Sequence, residues 1–136
     1  MSNASSITFM TATPNLIVSD MPASVTFYRD VLTFGIERTV PDEAPYVFVW
    51  LKRGSVELFL NEIKTVAAVF PNLRAGGTST LYVVVDDVKG LMDEVTGRAP
   101  IAMPLTDQFY GMREFAIFDP DGYLITFAQR IAGERA

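Results

Sequence analysis

The chain has 136 residues, 49% hydrophobic and 20% charged, which suits one folded domain with its own core. It holds neither cysteine nor histidine, which excludes disulfides, thiolate nucleophiles, imidazole general bases and His-ligated metals. A net charge of −5 and a pI near 4.6 argue against nucleic acid as a partner and favour cationic or neutral ligands. No apolar run approaches the roughly 20 residues of a spanning helix, and the expected location is cytoplasmic.

Thr13–Ser19 (TPNLIVS) is apolar and β-branched, a strand opened by Pro14. Asp20 ends it and is placed to cap a helix that carries Pro22 in its first turn. Val25, Tyr28, Val31 and Leu32 recur at helical spacing, so the helix runs to about Leu32. Phe34–Arg38 is extended, and Pro41-Asp42-Glu43-Ala44-Pro45 is a polar loop. Tyr46–Leu51 (YVFVWL) and Val56–Leu60 (VELFL) form a hairpin about Lys52-Arg53-Gly54-Ser55. The stretch after it carries a short helix at Val66–Phe70 and a flexible joint at Gly76-Gly77.

The same order then returns. Leu81–Val85 is a strand, Asp86-Asp87 ends it, and Val88–Val95 is a helix with Val88, Leu91, Met92 and Val95 on one face. Pro100 and Pro104 bracket an irregular extended segment. Tyr110 to Gln129 (YGMREFAIFDPDGYLITFAQ) is a loop, a strand, a forced turn and a strand. In the turn Asp119-Pro120-Asp121-Gly122, proline presets φ, the aspartates cap their own backbone, and glycine accepts positive φ. Aligning LIVSDM with VVVDDV puts Asp20 on Asp87, 67 residues apart, and nearly the same offset puts Val56–Leu60 on Tyr123–Phe127. The simplest account is an α+β chain of two tandem βαβββ modules: one about 13–62, a linker about 63–78, and a second about 79–130.

The segments PNLIVSDMPASVTFYRDVLTFGI, GSVELFL, LYVVVDDVKGL and YGMREFAIFDPDGYLITFAQ resemble the glyoxalase, bleomycin-resistance and extradiol-dioxygenase superfamily, or vicinal oxygen chelate family. The resemblance covers roughly Thr13 to Gln129. It implies paired βαβββ modules whose curved mixed sheets form a cleft, usually in a two-fold homodimer. Fold does not fix function, so the site needs its own argument.

In the metal-using members, four ligands enter the cleft from four strands. The resemblance places them at Thr13, Glu57, Thr80 and Thr126, where only Glu57 is a donor type the family uses. One carboxylate and three neutral hydroxyls make a poor site for zinc, nickel or iron(II). No metal or other cofactor is therefore expected. A shifted site built from Glu57, Asp107 or Glu114 is the metal alternative, because hard cations accept carboxylates alone.

Side chains alternate across a strand, so Glu57 and Phe59 share one face of their strand and Val56 and Leu58 the other. With the aliphatic pair packed under the helix, Glu57 and Phe59 look into the cleft. The same parity sends Asn15, Ile17, Tyr82, Val84, Leu124 and Ala128 there. Glu57 is either a hydrogen-bonded or solvated carboxylate or a ligand contact. Trp50, with Phe48 and Tyr46 on its face by parity, is either core or a stacking platform for flat rings. Phe109, Tyr110 and Met112 belong to a loop that borders the cleft in the family. Arg113 and Glu114 point to opposite faces, and at least one of them is expected in a structural ion pair.

The function this favours is metal-independent binding of a small drug- or toxin-like molecule with cationic or aromatic character. The alternative is a metal-dependent lyase, isomerase or dioxygenase of the same superfamily. A metal-free variant would use Glu57 as base and Tyr82 or Tyr110 as proton donor. A third possibility is a structural dimer module, recognisable by a cleft filled with side chains.

Overall fold

In the computed structural model, which describes residues 5–76 and 79–132, each half of the chain builds its own four-stranded sheet. The first half runs β1 (Asn15–Val18), α1 (Met21–Thr26), β2 (Gly35–Val40), β3 (Phe48–Arg53) and β4 (Val56–Glu62). A short helix α2 (Ile63–Ala67) follows. The second half repeats the plan with β5 (Thr80–Val84), α3 (Val88–Val95), β6 (Ile101–Asp107), β7 (Met112–Phe118) and β8 (Leu124–Arg130). The spatial orders are β1-β4-β3-β2 and β5-β8-β7-β6. In each sheet the first strand lies parallel to the last and the other pairs are antiparallel. These are two βαβββ modules, as the repeat predicts.

Both helices start by the same device. Asp20 accepts a hydrogen bond from the Ala23 N–H at 3.1 Å, and Asp87 accepts one from the Gly90 N–H at 3.0 Å. Each satisfies a donor that the first turn cannot bond internally. A Cβ at 90 would lie 2.3 Å from the Asp87 carboxylate as placed, so a larger residue there would make that side chain shift. Beyond Thr26 the first helix widens into a π-helical turn, Phe27–Val31, and ends at Leu32. Phe27, Tyr28 and Leu32 are all buried.

Strand alternation sets the core. Val49 and Leu51 of β3, Leu58 and Leu60 of β4, Phe115 and Ile117 of β7, and Ile125 and Phe127 of β8 are buried in one hydrophobic cluster with Val25, Tyr28, Val88, Leu91 and Val95 from the helical segments. Each such side chain contributes about 1.5–3 kcal/mol by leaving water. Glu57 and Phe59 fall on the opposite face of β4 and are half-buried.

The Asp119-Pro120-Asp121-Gly122 turn forms, with Gly122 at φ +83°. It also fastens one module to the other. Buried Asp119 accepts from the Tyr28 hydroxyl at 2.7 Å and from the Asp121 and Tyr123 N–H groups at 2.9 Å each. Asp121 accepts from the Ser19 N–H and hydroxyl, and the Tyr123 hydroxyl donates to the Ile17 carbonyl at 2.8 Å. Burial raises the Asp119 pKa above the ordinary carboxylate value, against the lowering effect of its hydrogen bonds.

Two expected elements differ. The helix expected at Val66–Phe70 lies at Ile63–Ala67, with only a turn from Val66 to Phe70. Pro71 disfavours helical backbone at Phe70, so the helix ends earlier. The irregular segment around Pro100 and Pro104 is strand β6, whose register with β7 shifts twice. β6 is an edge strand, where proline's missing N–H is tolerated. Of the expected joint Gly76-Gly77, Gly77 lies outside the described residues. Gly76 is buried at φ +77°, where a Cβ would meet the Asp121 carbonyl at 2.1 Å, so it is a packed contact with the turn.

Candidate ligand-binding cleft

The two sheets repeat one pattern of strand pairing. Asn15 pairs with Phe59 and Phe59 with Trp50; at the equivalent positions of the second module, Tyr82 pairs with Thr126 and Thr126 with Ala116. One row further, Asn61 and Phe48 correspond to Ala128 and Glu114. The face of each sheet turned away from the core can therefore be compared position by position.

On module one this face is aromatic and raised. Phe48 and Phe59 lie 5.1 Å apart by ring centroids, and Trp50 meets Phe59 edge-on at 6.2 Å. Edge-on contact suits the opposed charge of ring edge and ring face. The Trp50 indole N–H donates to Glu57 Oε1 at 2.7 Å, so Glu57 lies against the aromatic group and not free in solvent. Asn61 donates its amide to Asn15 Oδ1. Arg38, exposed, stands across from Trp50 on β2.

On module two the same positions are small. Ala116, Thr126 and Ala128 leave a trough, and Tyr82 lies across it from β5 to β7, two strands and roughly 10 Å away. Its hydroxyl donates to Glu114 Oε2 at 2.5 Å. The Tyr110 hydroxyl, from the loop before β7, lies 2.9 Å from both Glu114 oxygens. Glu114 is buried, at 3% exposure. Partial burial and the hydrogen bond to Glu114 push the Tyr82 pKa up to about 12 and raise that of Tyr110, so both hydroxyls hold their protons at neutral pH.

The ion pair expected at Arg113 or Glu114 forms at Arg113, whose guanidinium meets Asp107 at 2.6 and 3.0 Å on the opposite face. The adjacent Arg lowers the Asp107 pKa. Glu114 instead belongs to the tyrosines. From the sequence it reads only as an ion-pair partner or a shifted metal ligand. The signal for its sheet face is the opposite parity of Arg113, together with Ala128 across the ladder.

Between the modules, a cavity of about 260 Å³ is lined by Ala12, Pro14 and Glu57 from one side and Tyr82 and Val84 from the other. Glu57 and Tyr82 thus share one space. A larger cavity of about 660 Å³ runs from Leu32 and Arg53 to Asp86 and Glu94. It is backed by core side chains and, of the residues expected in the cleft, reaches only Val84. Phe109 is fully exposed at the tip of its loop, edge-on to Tyr110, while Met112 is buried beneath.

The model of the Glyoxalase/Bleomycin resistance protein/Dioxygenase superfamily matches residues 9–127. The chain belongs to that superfamily. Solved structures agree on the fold. TioX from Micromonospora sp. ML1 is 21% identical at TM-score 0.73, covering 89% of this chain and all of its own. A glyoxalase/bleomycin resistance protein/dioxygenase from Nocardioides is 18% identical at TM-score 0.77, covering 96% of this chain and 89% of its own. A lactoylglutathione lyase from Agrobacterium tumefaciens is 21% identical at TM-score 0.67, covering 88% of this chain and 92% of its own. No curated sequence matches the chain.

The metal positions implied by superfamily membership do not fit a metal here. Thr13 precedes β1, Thr80 opens β5 and is exposed, and Thr126 pairs with Tyr82 and Ala116. Glu57 is the single carboxylate of the set, and its ladder counterpart in module two is Leu124. Among the described residues, no three His, Cys, Asp or Glu side chains stand close enough to hold an ion. The shifted alternative fares no better: Glu57 is bonded to Trp50, Asp107 to Arg113, and Glu114 to two tyrosines. Also among the described residues, no helix is long and apolar enough to cross a membrane.

Proposed function

We propose that the chain is a metal-independent binding protein that sequesters a small drug- or toxin-like molecule in the space between its two sheets. The observation that carries this is the replacement of a metal-donor set by threonines, beside an aromatic wall whose one carboxylate is held by Trp50. Phe48, Trp50, Phe59 and Asn15 supply stacking area and a polar edge on one side. Glu57 and Tyr82 stand at the meeting of the modules, and Tyr110 and Phe109 rim the other face above the buried Met112. An acidic protein with this lining favours a flat ligand carrying positive charge.

A metal-free enzyme is less well supported. Tyr82 and Tyr110, its candidate proton donors, already donate to Glu114, and both are weaker acids than free tyrosine. Glu57 has no placed acid partner. The working form we propose is a cytoplasmic homodimer, so light scattering should give a two-chain mass, and a one-chain mass would remove that part.

The test is metal content followed by Trp50 fluorescence. Protein purified without an affinity metal should carry close to no transition metal per chain and gain none from zinc, nickel, manganese or iron(II). Cationic aromatic compounds should then quench Trp50. About one metal per chain would overturn the proposal and bring lyase, isomerase or dioxygenase chemistry forward.

A further inference from the structure

Two carboxylates of the described residues are buried without a cation: Asp119, which the turn fills with three hydrogen-bond donors, and Glu114, on the sheet face opposite Phe115 and Ile117. The partners of Glu114 are two neutral hydroxyls. Arg113, its neighbour in sequence, is on the other face with Asp107. Arg130 follows Ala128 on Glu114's own face, across from Met112, and makes no ion pair with it. A buried carboxylate without a counter-charge is costly, and a cation that reaches it recovers that cost.

We propose that Glu114, with Tyr82 and Tyr110, is the anchor for a primary or secondary ammonium group on an apolar body. This deepens the small-molecule-binding proposal and rests on it. The choice of ammonium follows from the acceptor geometry. A carboxylate offers about four lone-pair sites, and two O–H donors leave some of them free. Tyr110 spans both oxygens, at 2.9 Å each, and so occupies the edge that a guanidinium needs for two parallel hydrogen bonds. A single N–H donor needs no such edge. The half-exposed ring of Tyr82 offers its face to the same cation. Phe109, fully exposed beside Tyr110, and exposed Val84 give the apolar body something to lie against.

Calorimetric titration with naphthylethylammonium, its neutral N-acetyl amide and its guanidinium counterpart tests the anchor. The wild-type protein should prefer the ammonium over the amide by roughly tenfold or more, as charge-assisted hydrogen bonds do. Glu114→Gln, which keeps the shape, should erase that preference by bringing ammonium affinity down to that of the amide. Tyr110→Phe should free the carboxylate edge and bring the guanidinium within a few-fold of the ammonium. Equal binding of ammonium and amide by the wild type would overturn the anchor while leaving small-molecule binding in place. Binding of none of the three would remove both. A Glu114→Gln protein that folds and keeps the preference would also overturn it. Should that variant not fold, Tyr110→Phe decides, because Tyr110 is on an exposed loop: no gain for the guanidinium there would count against the anchor.

Discussion

The two sheets of this chain place equivalent backbone under different surfaces. Where module one carries Phe59, Trp50 and Phe48, module two carries Thr126, Ala116 and Glu114. Bulk on the first produces a stacked wall that clasps Glu57 by an indole N–H. Its removal on the second opens a trough through which Tyr82 reaches Glu114. Each face keeps one carboxylate held by aromatic donors, but Glu57 is half-buried and Glu114 nearly closed off. Repetition of a fold therefore fixes the ladder and leaves the depth of the site to side-chain volume.

The modules also differ in their hairpin turns, and there a large effect is expected. Asp119→Ala removes the acceptor of a buried tyrosine hydroxyl and two N–H groups. It should cost about 2–4 kcal/mol in denaturant unfolding, since each stranded donor carries its own desolvation penalty. Gly122→Val at φ +83° should also be clearly destabilising, because a β-branched residue resists that conformation. Gly54→Ala in the module-one turn, at φ +58° with nothing within 4 Å, should cost only about 1 kcal/mol. Equal losses at Asp119 and Gly54 would mean that the two turns do the same job.

Filling the trough comes next. Ala116→Leu should push Tyr82 off Glu114 and cost about 1–3 kcal/mol by overpacking. Spectrophotometric titration should show the tyrosine with the pKa of about 12 returning toward the ordinary value. Cutting down the wall is the converse. Phe59→Ala should weaken ligand binding more than it lowers stability, because Phe59 is half-buried while its neighbour Leu60 is fully buried. Leu60→Ala should cost about 2–5 kcal/mol. A stability loss of that size at Phe59 with binding intact would make it core.

The smallest effect is in pH. Asp119 has its folded pKa raised by burial, so the folded state holds its proton more tightly than the unfolded chain does. Its contribution to stability is full below the unfolded value of about 4 and is lost as pH rises through the raised value. The gap in thermal midpoint between wild type and Asp119→Asn should therefore narrow as pH climbs through that window. A gap that widens would mean that its hydrogen bonds outweigh its burial.

Much of this difference between modules is legible in the sequence. Period-two alternation in VELFL and the capping aspartates at 20 and 87 have local causes, and that strand and both helices lie where those causes put them. The aromatic face of YVFVW follows from parity as well, although parity alone left open whether Trp50 belonged to the core. Glu114 was hidden for a different reason. Its role depends on Tyr82 reaching across Ala128 and on a loop folding Tyr110 back, and no window of sequence contains all three. The helix at Ile63–Ala67 was misplaced because the apolar run Val66–Phe70 signalled more strongly than the proline that follows it.

The seam between the modules joins residues that lie far apart in the chain. Ser19 meets Asp121 across 102 positions, and Ile17 meets Tyr123 across 106. On a growing chain, the first helix is made long before its buried hydroxyl partner exists. Tyr28 must stay hydrated, or be held by something else, until Asp119 has been synthesised and its turn has closed. Contacts of such separation slow folding and prolong the exposure of half-made cores. A ribosome paused shortly before residue 119 would therefore hold a first module whose sheet can form but whose seam cannot, and protease sensitivity of Tyr28 at that length would report it.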